Sequence, residues 1–156
     1  MDSHPLFTLG LGLTPPWRVV DQRFDADQTP NQLHLGVAAE PGARFPCPKC
    51  GQPAAAHDWK DETWQHLDFF QHACFITARV PRVRCPDHGV LRIAVPWART
   101  GSGFTLLFEP VALSFAREMP VATAAALMTG DATVLYVMRD ACSRAPTTWP
   151  ARSSWS

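Results

Sequence analysis

The chain contains Cys47-Pro-Lys-Cys50 and, after a gap of 34 residues, Cys85-Pro-Asp-His88. Pro46 and Gly51 flank the first motif and Gly89 follows the second, so each is a tight knuckle. A Cys-x-x-Cys turn points two thiolates at one ion without distorting the backbone, and a second turn completes the four donors of a tetrahedral zinc site. The expected cofactor is one structural zinc ion held by Cys47, Cys50, Cys85 and His88, set against the alternative of two surface turns that bind nothing. Four protein ligands leave no position for water, and no carboxylate pair stands ready to polarise one, so catalytic zinc is not expected. His57, His66 and Cys74 are reserve ligands, or else ordinary surface and packing residues. Five cysteines, an odd number, suit a reduced metal site better than a disulfide framework, and Cys142 reads as a spare buried thiol.

Around the knuckles the chain alternates apolar and polar side chains. Trp17 to Phe24 and Gln32 to Ala38 predict two strands, the second with Leu33, Leu35 and Val37 on one face. Cys74 to Arg84 predicts a third strand in which Pro81 marks an edge or a bulge. Val90 to Val95 is its return strand. Two knuckles on β-hairpins is the zinc-ribbon plan, with the Trp64–Phe70 segment looping out between them. Trp59, Trp64, Phe69, Phe70 and Phe75 predict a core around the ribbon; a base-stacking platform is the alternative.

Beyond Trp97 the spacing changes from alternation to helical. Arg99 to Gly103 reads as a flexible joint, Phe104 to Phe115 as a helix that begins or is kinked near Glu109 because of Pro110, and Val121 to Met128 as a second helix opened by Pro120. Asp131 can cap a third helix whose stripe is Val134, Val137, Met138 and Ala141. The expected fold class is therefore α+β, a small β-rich zinc ribbon followed by a three-helix helix-turn-helix unit. The expected divisions are an N-terminal extension over 1–16, the ribbon over 17–98, a linker over 99–103, the helical unit over 104–142, and a disordered tail over 143–156. On this reading Thr133, Tyr136 and Arg139 face a DNA major groove; the plainer reading is three helices filling a small core.

Charge gives no global signal, since 14 basic residues balance 14 acidic ones. Locally, residues 1–70 hold nine acidic and five basic side chains, whereas Arg79 to Arg99 holds five arginines against Asp87 alone. Arg79, Arg82 and Arg84 could thus touch phosphates, or simply form a solvated strand face. Arginine outnumbers lysine twelve to two, which fits phosphate recognition, but the many Ala, Pro and Gly codons favour a GC-rich genome as the cause. No membrane span is expected, because Glu109, Pro110, Arg117, Glu118 and Pro120 interrupt the longest apolar region. Met1 to Leu13 lacks the basic leader and cleavage site of a signal peptide.

Four blocks carry a resemblance: Arg44-Phe-Pro-Cys-Pro-Lys-Cys-Gly51, Thr63-Trp-Gln-His-Leu-Asp-Phe-Phe70, Arg79-Val-Pro-Arg-Val-Arg-Cys-Pro-Asp-His-Gly89 and Val95-Pro-Trp-Ala-Arg-Thr-Gly-Ser-Gly-Phe104. In this order they resemble the N-terminal region of the ISL-three family of bacterial insertion-sequence transposases. The resemblance implies a zinc-binding domain, then a helix-turn-helix that recognises terminal inverted repeats. It also implies a later RNase-H-like domain whose three acidic residues hold two magnesium ions, which this sequence does not reach. The text after Cys142 reads as translation past a frameshift. The expectation is therefore a catalytically inactive DNA-binding fragment, not an enzyme, in the bacterial cytoplasm at the nucleoid. Its partners would be double-stranded inverted-repeat DNA and a transposase oligomer. The rival expectations are a zinc-stabilised protein-interaction module and a non-functional pseudogene product.

Overall fold

The structure is a computed structural model that describes residues 3–128. Six strands follow one short helix: α1 (His4–Gly10), β1 (Trp17–Asp25), β2 (Gln32–Ala39), β3 (Arg44–Pro46), β4 (Pro53–Phe69), β5 (His72–Cys85) and β6 (Gly89–Arg92), then α2 (Phe108–Glu118) and α3 (Val121–Met128). The chain divides into two compact units, the first ending at Phe108 and the second beginning at Glu109. In the second, Ala112, Ala124 and Ala125 are buried.

In the first unit the strands run in the order β1-β2-β5-β4-β3, with β6 also on β5. β5 is the shared strand. Its first half pairs in parallel with β2, from Gln32↔Ala73 to Val37↔Ala78. Its second half pairs antiparallel with β6, from Arg82↔Arg92 to Cys85↔Gly89. Nearly its whole length pairs with β4 on the other side.

This architecture overturns the expected zinc ribbon followed by a three-helix helix-turn-helix unit: the described residues are mainly one six-stranded sheet with three short helices. The reason lies in long-range pairing. β2 hydrogen-bonds to β5 as well as to β1, and Trp64–Phe70, read as a loop-out, continues β4. The expected third helix, with Thr133, Tyr136 and Arg139, lies outside the described residues.

Pro81 is neither on an edge strand nor the bulged residue. Its carbonyl accepts the Ile93 amide, so its missing N–H faces the same side, in the interval between the last β2 pair at Ala78 and the first β6 pair at Arg82. A strand needs no donor where it changes partners, so proline is tolerated in a central strand here. The bulge sits on the facing strand, between Ala56 and Asp58.

The core gathers Trp17, Val19, Val37, Phe45, Trp64, Ile76, Val80, Val83 and Trp97. Trp97 lies edge-on to Trp17 at 5.0 Å and to Trp64 at 5.6 Å, the perpendicular packing that aromatic quadrupoles favour. Residues 103–105 are pinned to β4: Gln65 N–H donates to the Gly103 carbonyl and Thr105 N–H to the Gln65 carbonyl. At the outer edge of the sheet, the Thr8 hydroxyl of α1 accepts the Val19 amide, covering a donor that β1 would otherwise leave open.

Two stability predictions follow from this packing. A Cβ built on Gly36 would lie 2.9 Å from the Asp21 Cβ, where the β1–β2 register shifts. Gly36→Ala is expected to cost about 1–3 kcal/mol from overpacking, read as a lower urea midpoint at unchanged slope. Across the sheet face, Arg92 holds Glu62 bidentately at 2.7 and 2.6 Å with both side chains about a quarter exposed. Arg92 depresses the Glu62 pKa below its ordinary 4.5. A depressed carboxylate stabilises the fold above its unfolded pKa and loses that contribution as pH falls through the folded value. Glu62→Gln should therefore lower stability at pH 7 and flatten its fall below about pH 4.5, as followed by thermal unfolding across pH.

Candidate metal centre

The first knuckle is the turn between β3 and β4, and the second is the turn between β5 and β6. Hydrogen bonding from Gly51 N–H to the Cys47 carbonyl, at 2.8 Å, closes the first turn. Gly51 at φ +74° and Gly89 at φ +73° leave the two knuckles in the left-handed region, which glycine enters without a Cβ penalty. Because β4 and β5 are neighbours, the end of one and the start of the other lie side by side, and this closes the 34-residue gap.

The donor atoms of Cys47, Cys50, Cys85 and His88 all lie within 4.8 Å of one another. Cys50 Sγ is 3.6 Å from Cys85 Sγ, and His88 Nδ1 is 3.4 Å from Cys85 Sγ and 3.9 Å from Cys47 Sγ. With zinc–sulfur bonds of about 2.3 Å and zinc–nitrogen bonds of about 2.0–2.1 Å, the edges of a ligand tetrahedron measure about 3.5–3.8 Å. The spacing is that of a ligand cage. Three soft thiol donors and one imidazole fit a structural zinc ion.

Electrostatics at the knuckle point the same way. Backbone amides of Cys50 and Lys49 hold the Cys47 thiol down to about 6, favouring the thiolate that binds metal. The Gln52 amide acts likewise on Cys50, but burial and the sulfurs of Cys47 and Cys85 outweigh it and raise that thiol. Crowded sulfurs of this kind resist ionising together until a cation joins them.

The reserve ligands lie elsewhere. His57 faces Arg84 at 3.4 Å, and His66 Nδ1 meets the Thr105 hydroxyl at 2.8 Å, its pKa lowered by burial. Cys74 is packed against Leu33 and Leu35, and burial pushes its thiol up to about 11. The three strand arginines are exposed, yet two hold carboxylates: Arg82 is paired with Asp58, and Arg79 lies 3.5 Å from Asp61. Their anionic partners, invisible in a linear reading, come from β4. Thr133, Tyr136 and Arg139 lie outside the described residues. Among the described residues no helix is long and apolar enough to cross a membrane.

Comparison with known proteins agrees with this geometry. Residues 43–88 match the family described as the zinc-finger of transposase IS204/IS1001/IS1096/IS1165, a span that contains all four donors. The chain is 32% identical over 116 residues to the transposase for insertion sequence element IS1557 of Mycobacterium tuberculosis, in strains CDC 1551 and H37Rv alike. That match covers 70% of this chain and 26% of the transposase, so the chain spans about a quarter of the length of these relatives. It is also 31% identical over 115 residues to the peptide methionine sulfoxide reductase MsrB of Caulobacter vibrioides, covering 65% of this chain and 71% of that protein. No solved structure matches.

The ligand cage falls wholly inside the zinc-finger match. Residues 43–88, which carry the four donors, thus match the zinc-finger family of these transposases, and the chain is similar to the IS1557 transposase over 116 residues.

Proposed function

We propose that Cys47, Cys50, Cys85 and His88 hold one structural zinc ion in a protein that binds double-stranded DNA at the terminal inverted repeats of an insertion sequence and does not itself cut or join it. The observation that carries this reading is the cage of four protein donors inside the zinc-finger match. All four positions of a tetrahedral ion are then filled by side chains, and bound zinc supplies cross-linking rather than Lewis-acid chemistry. We further assign the protein to the bacterial cytoplasm, at the nucleoid.

The phosphate-facing residues in this reading are the exposed arginines of β5. Arg79 and Arg82 would have to exchange a carboxylate for a phosphate, whereas Arg84 lies against His57, beside the Cys85 knuckle. Arg84 is the arginine best placed to touch DNA. We keep Thr133, Tyr136 and Arg139 as base contacts on their spacing alone.

The test is fluorescence anisotropy with labelled inverted-repeat DNA and a scrambled control across a salt series. Tighter, salt-sensitive binding to the repeat is expected. Arg84→Ala should weaken both DNAs by about 3–10-fold and reduce the slope of log affinity against log salt by about 1, the signature of one lost phosphate contact. No binding to either DNA would sink the proposal. It would favour a protein-interaction module, for which the β4–β5 tip speaks: Phe24, Phe69 and Phe70 are exposed there by 50%, 41% and 89%.

A further inference from the structure

We propose that the metal centre is a peroxide-sensitive latch, in which oxidation joins Cys50 to Cys85 and expels the zinc. The inference rests on the zinc reading above and adds a mode of control to the same four residues. Cys47 and Cys85 keep 2% and 3% of their surface exposed, while Cys50 stands in solvent at the turn between β3 and β4. Cys50 is the cage cysteine exposed to solvent, within reach of a small oxidant. Behind it, at 3.6 Å, lies the Cys85 sulfur, carried by the other knuckle.

The chemistry balances with hydrogen peroxide as oxidant. The Cys50 thiolate attacks one peroxide oxygen, the O–O bond breaks, and a sulfenic acid and hydroxide result. The Cys85 thiolate then attacks the Cys50 sulfur, forming the S–S bond and expelling a second hydroxide. Two electrons leave the sulfur pair and both enter the peroxide oxygens. Two of the four donors are consumed, so Cys47 and His88 alone remain for the ion and it dissociates. The new bond ties the same two turns that the ion held together.

The experiment uses the full chain carrying Cys74→Ser and Cys142→Ser, so that the three cage cysteines are the only thiols. Hydrogen peroxide is added in steps from one molar equivalent to a ten-fold excess. Released zinc is read with a colorimetric chelator, free thiols are counted, and the non-reduced protein is mapped by mass spectrometry. The expected result is one zinc released for two thiols lost, a Cys50–Cys85 cross-linked peptide, and recovery on adding thiol reductant and zinc. The oxidised protein should melt between the zinc-loaded and the chelator-stripped, reduced forms. A Cys47–Cys50 link, over-oxidation without a cross-link, or retention of zinc at ten-fold excess would overturn the proposal. Purified protein without zinc would instead defeat the zinc reading, and mapping that protein after peroxide would still report whether Cys50 pairs with Cys85.

Discussion

Cys85→Ser is expected to leave the purified chain without zinc and without a cooperative unfolding transition. Structural zinc contributes on the order of 10 kcal/mol of apparent binding energy, and that energy is folding energy when the site exists only in the folded chain. A domain of this size is stable by roughly 5–15 kcal/mol in total, so loss of the ion is comparable with the whole. Elemental analysis and thermal unfolding, run beside His57→Ala, check this. The His57 variant should keep one zinc and its transition, because His57 faces Arg84 away from the cage. Zinc lost from the His57 variant but kept on changing His88 would overturn the ligand assignment. A zinc-free Cys85 variant that still melts cooperatively would show that the sheet stands by itself and that the ion only pins its two turns.

Trp64→Ala is expected to remove about 3–5 kcal/mol while leaving zinc content at one per chain. Trp64 is 1% exposed, sits opposite Ile76 on β5, and packs edge-on against Trp97. Truncating it opens a cavity among large rings that cannot collapse into the space. The urea midpoint measures the loss, and the paired zinc determination separates core from metal. Trp97→Phe makes the milder comparison, because among the described residues the buried Trp97 Nε1–H has no acceptor and its removal costs no hydrogen bond there. If Trp64→Ala released zinc as readily as Cys85→Ser, the core and the cage would be one cooperative structure.

The ligand set was legible because its information is local: two residues at fixed spacing on each of two turns need no knowledge of the fold. β2 and β5 were legible for a similar reason, their buried face showing as alternation at Leu33, Leu35 and Val37 and at Cys74, Ile76 and Ala78. β4 was not. It carries Asp58, Lys60 and Glu62, which look like a loop until Arg82 and Arg92 meet two of them across the sheet. The same pairing hid the condition of the arginines. A period of two also cannot say which face is covered: of the aromatics read as core, Trp64 is buried, whereas Trp59 and Phe69 are about two-fifths exposed and Phe70 is almost fully so. α1 is seven residues long, with Pro5 in its first turn as its one signal.

The sharing of β5 between core and cage has a consequence for how the chain tolerates changes of length. Burial on β5 changes parity at Val80–Pro81 and then alternates through Val83 to Cys85, so removing one residue from Arg82–Arg84 would turn Cys85 from the buried side of that stretch to the exposed one while Ile76 and Val80 stayed in place. At the Phe70–Gln71 tip the same change would shift nothing beyond the turn. What β5 must hold constant is a count. From Cys74 to Cys85 it works as a ruler, with hydrophobic packing fixing the zero and the metal reading the other end.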